Sequence, residues 1–174
     1  AIFEGIDACV VYADAAGKFG DKYAVLDEYH QRGMGLMFIH YGVHPSKPVG
    51  EKYFHDWIGG FFETGWSVNP HWIADMIPKD GHPVARGIKD PIKAFDEFYY
   101  NMRLPRDCGS CYPLAEATPT PDRMVKYINL WNKHGDACFN KKQPLMWCND
   151  PEGGARGIGF TGGHYHRNWA IDDF

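Results

Sequence analysis

The sequence predicts an α/β domain whose central β-sheet contains parallel strands. Two short apolar runs, at residues 8–13 and 35–39, are typical of strands buried on both faces. Between them Tyr23, Leu26 and Tyr29 recur at every third position, which predicts a helix over residues 21–32. A strand, a helix and a second strand within about thirty residues form a βαβ unit, and such units build parallel sheets covered by helices.

Later segments alternate strand-forming residues with glycine and proline. They predict a short helix at 51–58 and strands at 95–100, 114–118, 145–148 and 157–161. The last two strands are joined by residues 149–156, which contain proline and paired glycines and are typical of a hairpin-like loop. Neither a repeat nor a linker divides the chain, so we predict a single domain over residues 1–174.

Composition restricts the partners that the chain can have. Lys and Arg number 18 and Asp and Glu number 22, which gives a net charge of 18 − 22 = −4. This balance argues against nucleic acid, because neutralising phosphates requires clustered basic residues. The sequence has no apolar run near the ~20 residues that cross a bilayer, so we expect no membrane partner. Hydrophobic residues at 44% support a packed core.

The cysteines and the chain ends carry less information. Cys108 and Cys111 have the spacing of a redox dithiol or of half a zinc ribbon, but the sequence has no second pair of this kind. A local disulfide or two ordinary thiols are the simpler interpretations. The chain begins at Ala1 without a signal-like segment, so we expect a fragment of a longer protein. Its location, cytoplasmic or exported, stays open.

Three polar residues follow three predicted strands. Asp14 comes after the run at 8–13, His40 directly follows the strand at 35–39, and His164 follows the strand at 157–161. Ligands of open α/β sheets bind beyond the carboxyl ends of the strands. If these strands are parallel neighbours, the three side chains meet at one edge of the sheet.

Two of these positions offer a second imidazole nearby, His44 and His166. Nitrogen ligands from separate loops can bind zinc or a similar divalent ion and leave one position open. Alternatively, each histidine is a polar residue that hydrogen-bonds to nearby backbone. His82, held extended before Pro83, is a further candidate ligand or base, or an ordinary turn residue.

Acidic and aromatic residues could complete such a site. Asp96 and Glu97 could supply a carboxylate for acid–base chemistry or for orienting an imidazole, although acidic pairs are often simply solvated. Large aromatic side chains offer flat faces for a sugar ring, but they are also ordinary core residues. Tyr165 and Trp169 are the better candidates because they flank His164 and His166 in sequence.

Several motifs, in this order along the chain, resemble the ThuA-like family of trehalose utilisation. They are Phe38-Ile39-His40-Tyr41, Trp57-Ile58-Gly59-Gly60-Phe61, Asn69-Pro70-His71-Trp72, His82-Pro83-Val84 with Gly87-Ile88, Asp96-Glu97-Phe98-Tyr99, and the run from Gly159 to Trp169. The resemblance extends along almost the whole chain, and the ordered set is more specific than any one motif.

The resemblance implies a flavodoxin-like three-layer sandwich with a mostly parallel central sheet, as in the class I glutamine amidotransferase-like superfamily, here truncated at both ends. Amidotransferases of that superfamily place a nucleophilic cysteine in the turn after the third strand, where this chain has His40. Without the thiol no thioester forms, so we expect no glutaminase activity. The family is associated with catabolism of trehalose-like or oxidised disaccharides, and some members bind a divalent metal. Its matching positions are His40, His82, Glu97 and His164.

The leading hypothesis is therefore a metal-dependent hydrolase, lyase or isomerase of a trehalose-type disaccharide or keto-glycoside. The ligands of a divalent metal, with zinc as the best match, are expected to be His40, His164, His44 and His166. The catalytic groups are expected to be Glu97, His82 and Asp14, and the sugar contacts Tyr41, Tyr99, Tyr165 and Trp169. The alternatives are a noncatalytic sugar-binding or scaffold domain and an assembly subunit that forms a homo-oligomer.

Overall fold

The structure, a computed structural model, describes residues 2–14, 19–88, 90–126 and 130–174. Its strands are β1 Ala8–Val11, β2 Gly35–Ile39, β3 His71–Pro78, β4 Ile92–Asp96, β5 Cys111–Ala117, β6 Met124–Lys126, β7 Gln143–Asn149 and β8 Gly157–Phe160. They form one sheet in the order β1-β2-β8-β7-β5-β3-β4, and β6 pairs with β3.

The helices are short, and the longest described one connects the first two strands. They are α1 Tyr23–Gln31, α2 Lys47–Val49, α3 His55–Ile58 and α4 Lys133–Ala137, and a π-helical turn, Gly50–Phe54, links α2 to α3. The helices predicted over 21–32 and 51–58 are thus confirmed, with small differences at their ends. Among the described residues, a helix long and apolar enough to span a bilayer is not found.

The prediction of a mostly parallel sheet is wrong. Only β1, β2 and β8 run parallel to one another, and the other five strand pairs of the described residues are antiparallel. For β7 and β8 the reason is connection length: residues 150–156 join them, and a parallel crossover needs about a dozen residues or more. The molecule is a mixed α/β fold whose parallel part is limited to the first βαβ unit and β8.

Apolar side chains pack on both faces of the sheet. On one face Leu26 of α1 and Trp57 of α3 cover Phe38 of β2. The cluster on the other face combines Ile39 of β2 with Trp72 of β3, although four strand pairs separate β2 from β3 in the sheet. Side chains so far apart in strand order share one cluster only because the sheet curls around it.

Three strand predictions need correction. β1 is an edge strand whose Val10 side chain is 61% exposed, so it is not buried on both faces as its apolar run suggested. β4 ends at Asp96, and the predicted strand at 95–100 covers only its last residues. β3 was not predicted because its first residues continue an aromatic stretch in which apolar residues do not recur at a regular spacing. The carboxyl end of β4 and the amino end of β3 nevertheless lie side by side, with Trp72 opposite Asp96.

Cys108 and Cys111 form a disulfide at the amino end of β5, as the simpler interpretation of this pair allowed. Because the closed loop is so short, the chain-entropy model assigns the disulfide only about 2 kcal/mol of stability. We therefore expect a Cys108→Ser/Cys111→Ser double variant to lose about 2 kcal/mol of unfolding free energy in urea titrations. Reductant should shift the wild type by the same amount and leave the double variant unchanged. A loss above about 4 kcal/mol would contradict this entropic account.

Candidate metal centre

Three potential metal-ligand atoms converge beyond the ends of β2, β4 and β8. Nε2 of His40 lies 3.2 Å from Oε2 of Glu97. Nδ1 of His164 lies 2.9 Å from the same oxygen, and the two histidine nitrogens are 3.2 Å apart. In the described ranges this trio, which we call the donor triangle, is the single group of at least three His, Cys, Asp or Glu side chains close enough to share an ion.

Strand order explains why residues so distant in sequence meet. β2 and β8 are parallel neighbours with Ile39 opposite Phe160, so the residues that follow them, His40 and His164, emerge at the same edge. β4 ends at this edge too, since it runs antiparallel to β3, and Glu97 directly follows it. The convergence of His40 and His164 that the strand ends suggested is therefore present, and Glu97 joins them.

The backbone at His40 is in an uncommon conformation. His40 has a φ of 52° at the turn from β2 into a short 3-10 helix, a region that non-glycine residues seldom occupy. Such strain persists where the surroundings hold it and is frequent at functional sites. Gly42 in the same turn packs so closely that a Cβ atom would lie 2.8 Å from the Val11 carbonyl oxygen. The turn is thus held against β1.

Hydrogen bonds orient the imidazole of His40. Its Nδ1 lies 2.9 Å from the Thr161 carbonyl oxygen, which can only accept, so Nδ1 carries the hydrogen. Nε2 consequently presents a lone pair to the donor triangle. The Tyr99 hydroxyl lies 3.2 Å from Nε2. Burial, followed by the charge of Glu97, raises the pKa of Tyr99, so its hydroxyl keeps its proton.

Glu97 has one carboxylate oxygen that lacks a hydrogen bond. The side chain is 2% exposed, and Asn69 donates to its Oε1 at 2.8 Å. Oε2, which faces the donor triangle, is buried and accepts no hydrogen bond. Burying such an oxygen without a hydrogen bond is costly. A divalent cation would satisfy it, and two histidines with one glutamate are the ligands of zinc sites that keep a fourth position open. The residues present therefore fit a metal.

His71 lies behind the donor triangle and was given no role from the sequence. Its Nδ1 is 2.6 Å from the Tyr165 hydroxyl, and its Nε2 is 3.8 Å from Oε1 of Glu97. Desolvation lowers the pKa of His71 despite the opposing charge of Glu97, which favours the neutral imidazole. The motif Asn69-Pro70-His71-Trp72 was noticed in the sequence. The position of His71 beside Glu97 could not be predicted from this motif because β3 itself was not predicted.

Comparison with known proteins identifies the family. The family model ThuA, described as trehalose utilisation, matches residues 4–174. The chain belongs to the ThuA family. This confirms the resemblance seen in the sequence, and the family description indicates a carbohydrate-related role. No curated protein has a significantly similar sequence.

Three solved structures share the fold of this chain, and the first two of them carry a ThuA-like name. One from Bacteroides uniformis ATCC 8492 has a TM-score of 0.65 and 15% identity, covering 95% of this chain and 63% of that one. One from Parabacteroides merdae ATCC 43184 has a TM-score of 0.62 and 18% identity, covering 93% and 61%. A cytoplasmic protein of Salmonella typhimurium LT2 gives 0.53 and 12%, covering 88% and 59%. At these identities the likeness concerns the fold alone, and this ThuA chain spans less than two thirds of their length.

A cavity of about 260 Å³ lies beside the donor triangle. Asp14 and Tyr41 line it, together with Tyr12, Ala13, His40 and His164. Trp169 lies near this cavity, with its ring 6.3 Å from that of Tyr12. Tyr99 is buried beneath His40. Tyr165 stacks on Phe95 and hydrogen-bonds to His71 instead of facing the cavity.

Three expected histidines lie outside the donor triangle. His44 packs on the ring of Phe62, and its Nε2 lies 3.0 Å from the Thr64 hydroxyl. His166 lies with its ring 6.1 Å from that of Tyr12. His82 caps a 3-10 turn after the far end of β3, the end opposite His71, and accepts a hydrogen bond from Val84. None of the three shares the ion-sized space between His40, Glu97 and His164.

Proposed function

We propose that this ThuA-family chain is a metal-dependent enzyme of carbohydrate catabolism, acting on a trehalose-type disaccharide or a keto-glycoside. His40, Glu97 and His164 would hold a divalent ion, for which zinc suits the donor set. The observation that carries the proposal is the buried Oε2 of Glu97, which accepts no hydrogen bond while two imidazole nitrogens point to the same space. Glu97 takes the ligand position that the sequence assigned to His44 or His166.

The residues around the cavity suggest how a sugar would be handled. When bound, the ion would act as a Lewis acid that polarises a carbonyl or hydroxyl of the sugar. Asp14 lines the cavity and is our candidate to accept a proton from a sugar hydroxyl. Tyr41, which is 46% exposed, offers a flat ring face to a pyranose. Tyr99 keeps its hydroxyl proton and steadies His40 from below.

A noncatalytic sugar-binding domain is the second candidate. Tyr12 and Trp169 are each 45% exposed and meet edge to face at 6.3 Å near the cavity. Exposed aromatic pairs of this kind favour the binding of sugar rings whether or not a reaction follows. The two candidates differ in whether an ion is retained and whether the sugar is converted.

Metal content is the first test. The protein is purified without chelators, loaded with zinc, desalted and analysed by plasma mass spectrometry, and we expect about one ion per chain. Trehalose and a keto-glycoside are then incubated with the loaded protein, and products are followed by chromatography. Failure to retain any divalent ion would overturn the metal-dependent proposal. Retained zinc and bound sugar without conversion would favour the sugar-binding domain.

A further inference from the structure

We propose that Asp96 is a positioning residue that sets His164 at the distance from Glu97 that an ion requires. The inference rests on the proposed metal centre and goes beyond its three ligands. It concerns how a loop from β8 is aligned with the end of β4, two segments more than sixty residues apart in sequence.

Asp96 is fully buried, and all of its described partners are hydrogen-bond donors. Its Oδ2 accepts from the backbone N–H of Gly163 at 2.8 Å and from Nδ2 of Asn168 at 2.9 Å. Its Oδ1 accepts from the backbone N–H of Tyr165 at 3.2 Å and from that of Glu97 at 2.8 Å. The charge is therefore compensated by four hydrogen bonds, which is the condition under which a buried carboxylate is tolerated.

The position of these donors determines what Asp96 can do. Gly163 and Tyr165 are the two neighbours of His164, so the carboxylate holds the backbone on both sides of the ligand. Because consecutive residues of an extended chain point to opposite sides, Asp96 faces this loop while Glu97 faces the donor triangle. One carboxylate thus connects two of the three proposed ligands, His164 through its flanking amides and Glu97 through its own amide.

Besides Asp96, two side chains hold the loop around His164: the Tyr12 hydroxyl donates to the Gly163 carbonyl oxygen, and the Tyr165 hydroxyl contacts His71. The loop follows β8 through Gly162 and Gly163, and Gly163 has a φ of 108°, a conformation that favours glycine. Regular structure resumes only at the 3-10 turn His166–Ala170. Asn168 in that turn donates both to Asp96 and, at 2.9 Å, to the Phe95 carbonyl oxygen, which fastens the loop to β4 a second time.

Asp96→Asn tests the role with little change in volume. The amide keeps one acceptor oxygen and turns an N–H₂ group toward two donors, so two of the four hydrogen bonds are lost. We expect zinc affinity, measured by calorimetry with zinc alone, to fall by about 10- to 100-fold, as for other groups that orient metal ligands. In the metal-free protein, hydrogen–deuterium exchange of residues 161–168 should accelerate relative to that of α1 and β2.

Asp75→Asn is the matched control. Asp75 is on neighbouring β3 and is partly exposed. It pairs with Arg123 and contacts none of the groups that donate hydrogen bonds to Asp96. This variant should have the zinc affinity of the wild type and the same rate of hydrogen–deuterium exchange in residues 161–168. If Asp96→Asn does not fold, Asn168→Ala removes one partner of the carboxylate and should give a weaker change in the same direction.

The outcomes separate this inference from the proposed function. Unchanged exchange of residues 161–168 in both Asp96→Asn and Asn168→Ala would overturn the positioning role. Faster exchange with wild-type zinc affinity would overturn it as well, because the loop would then be mobile without consequence for the ligand. Wild-type protein that binds no zinc would instead refute the metal centre, while faster exchange in the variant would still support the tether that Asp96 provides.

Discussion

His164→Ala is expected to weaken zinc binding by on the order of 100-fold while the metal-free fold persists. Structural zinc sites gain about 10–16 kcal/mol from four ligands, or about 3 kcal/mol per ligand, which corresponds to a factor of about 100 or more. The side chain of His164 is 35% exposed, so its removal leaves no large internal cavity. Calorimetric titration with zinc measures the first effect, and thermal unfolding of the metal-free protein measures the second.

His166→Ala is the control for this experiment. His166 lies two residues further on, in the same loop, and contributes no atom to the donor triangle. We expect the zinc affinity of the His166→Ala variant to equal that of the wild type. Stoichiometric, tight zinc in His164→Ala would remove His164 from the ligand set, and a large loss in His166→Ala would restore the original sequence-based assignment of that residue.

Gly157→Ala is expected to destabilise the fold by at least about 3 kcal/mol. Gly157 begins β8, where the strand meets the backbone of α3 without an intervening side chain. A Cβ atom at this position would lie 1.8 Å from the carbonyl oxygen of Trp57 and 2.6 Å from its carbonyl carbon. Because the obstacle is backbone, relief requires that the helix or the strand moves. Urea unfolding at equilibrium measures the loss of free energy.

Gly109→Ala provides the matched comparison for Gly157→Ala. An added Cβ at Gly109 meets nothing within 4 Å, and the backbone there is not in the left-handed region. This variant should stay within about 0.5 kcal/mol of the wild type. If Gly157→Ala behaved in the same way, the direct packing of α3 on β8 would be refuted.

Local patterns in the sequence were sufficient for the first βαβ unit. The apolar run of β2 and the three-residue spacing of Tyr23, Leu26 and Tyr29 in α1 report structure that forms between near neighbours in the chain. Once β2 and β8 are recognised, the rule that ligands lie beyond strand ends directs attention to His40 and His164. These two histidines are the part of the candidate site that needed no coordinates.

Pairing between distant strands could not be predicted in this way. The short loop between β7 and β8 already implied an antiparallel pair, yet the family resemblance favoured a mostly parallel sheet. β3 was not predicted, since Trp72 and its aromatic neighbours have no clear period even though the strand alternates in burial. Its place between β5 and β4 depends on contacts with segments 16 or more residues away, which no local pattern records.

The sequence by itself determined which side chains could bind an ion, and it placed two of them, His40 and His164, at the ends of β2 and β8. Only the tertiary structure showed that Glu97, and not His44, His82 or His166, lies beside His40 and His164. It also decided that the neighbouring Asp96 faces the loop instead of the donor triangle. The physical reason is that the direction of a side chain at a strand end depends on strand register and sheet curl. Both are set by packing between segments that are remote in sequence.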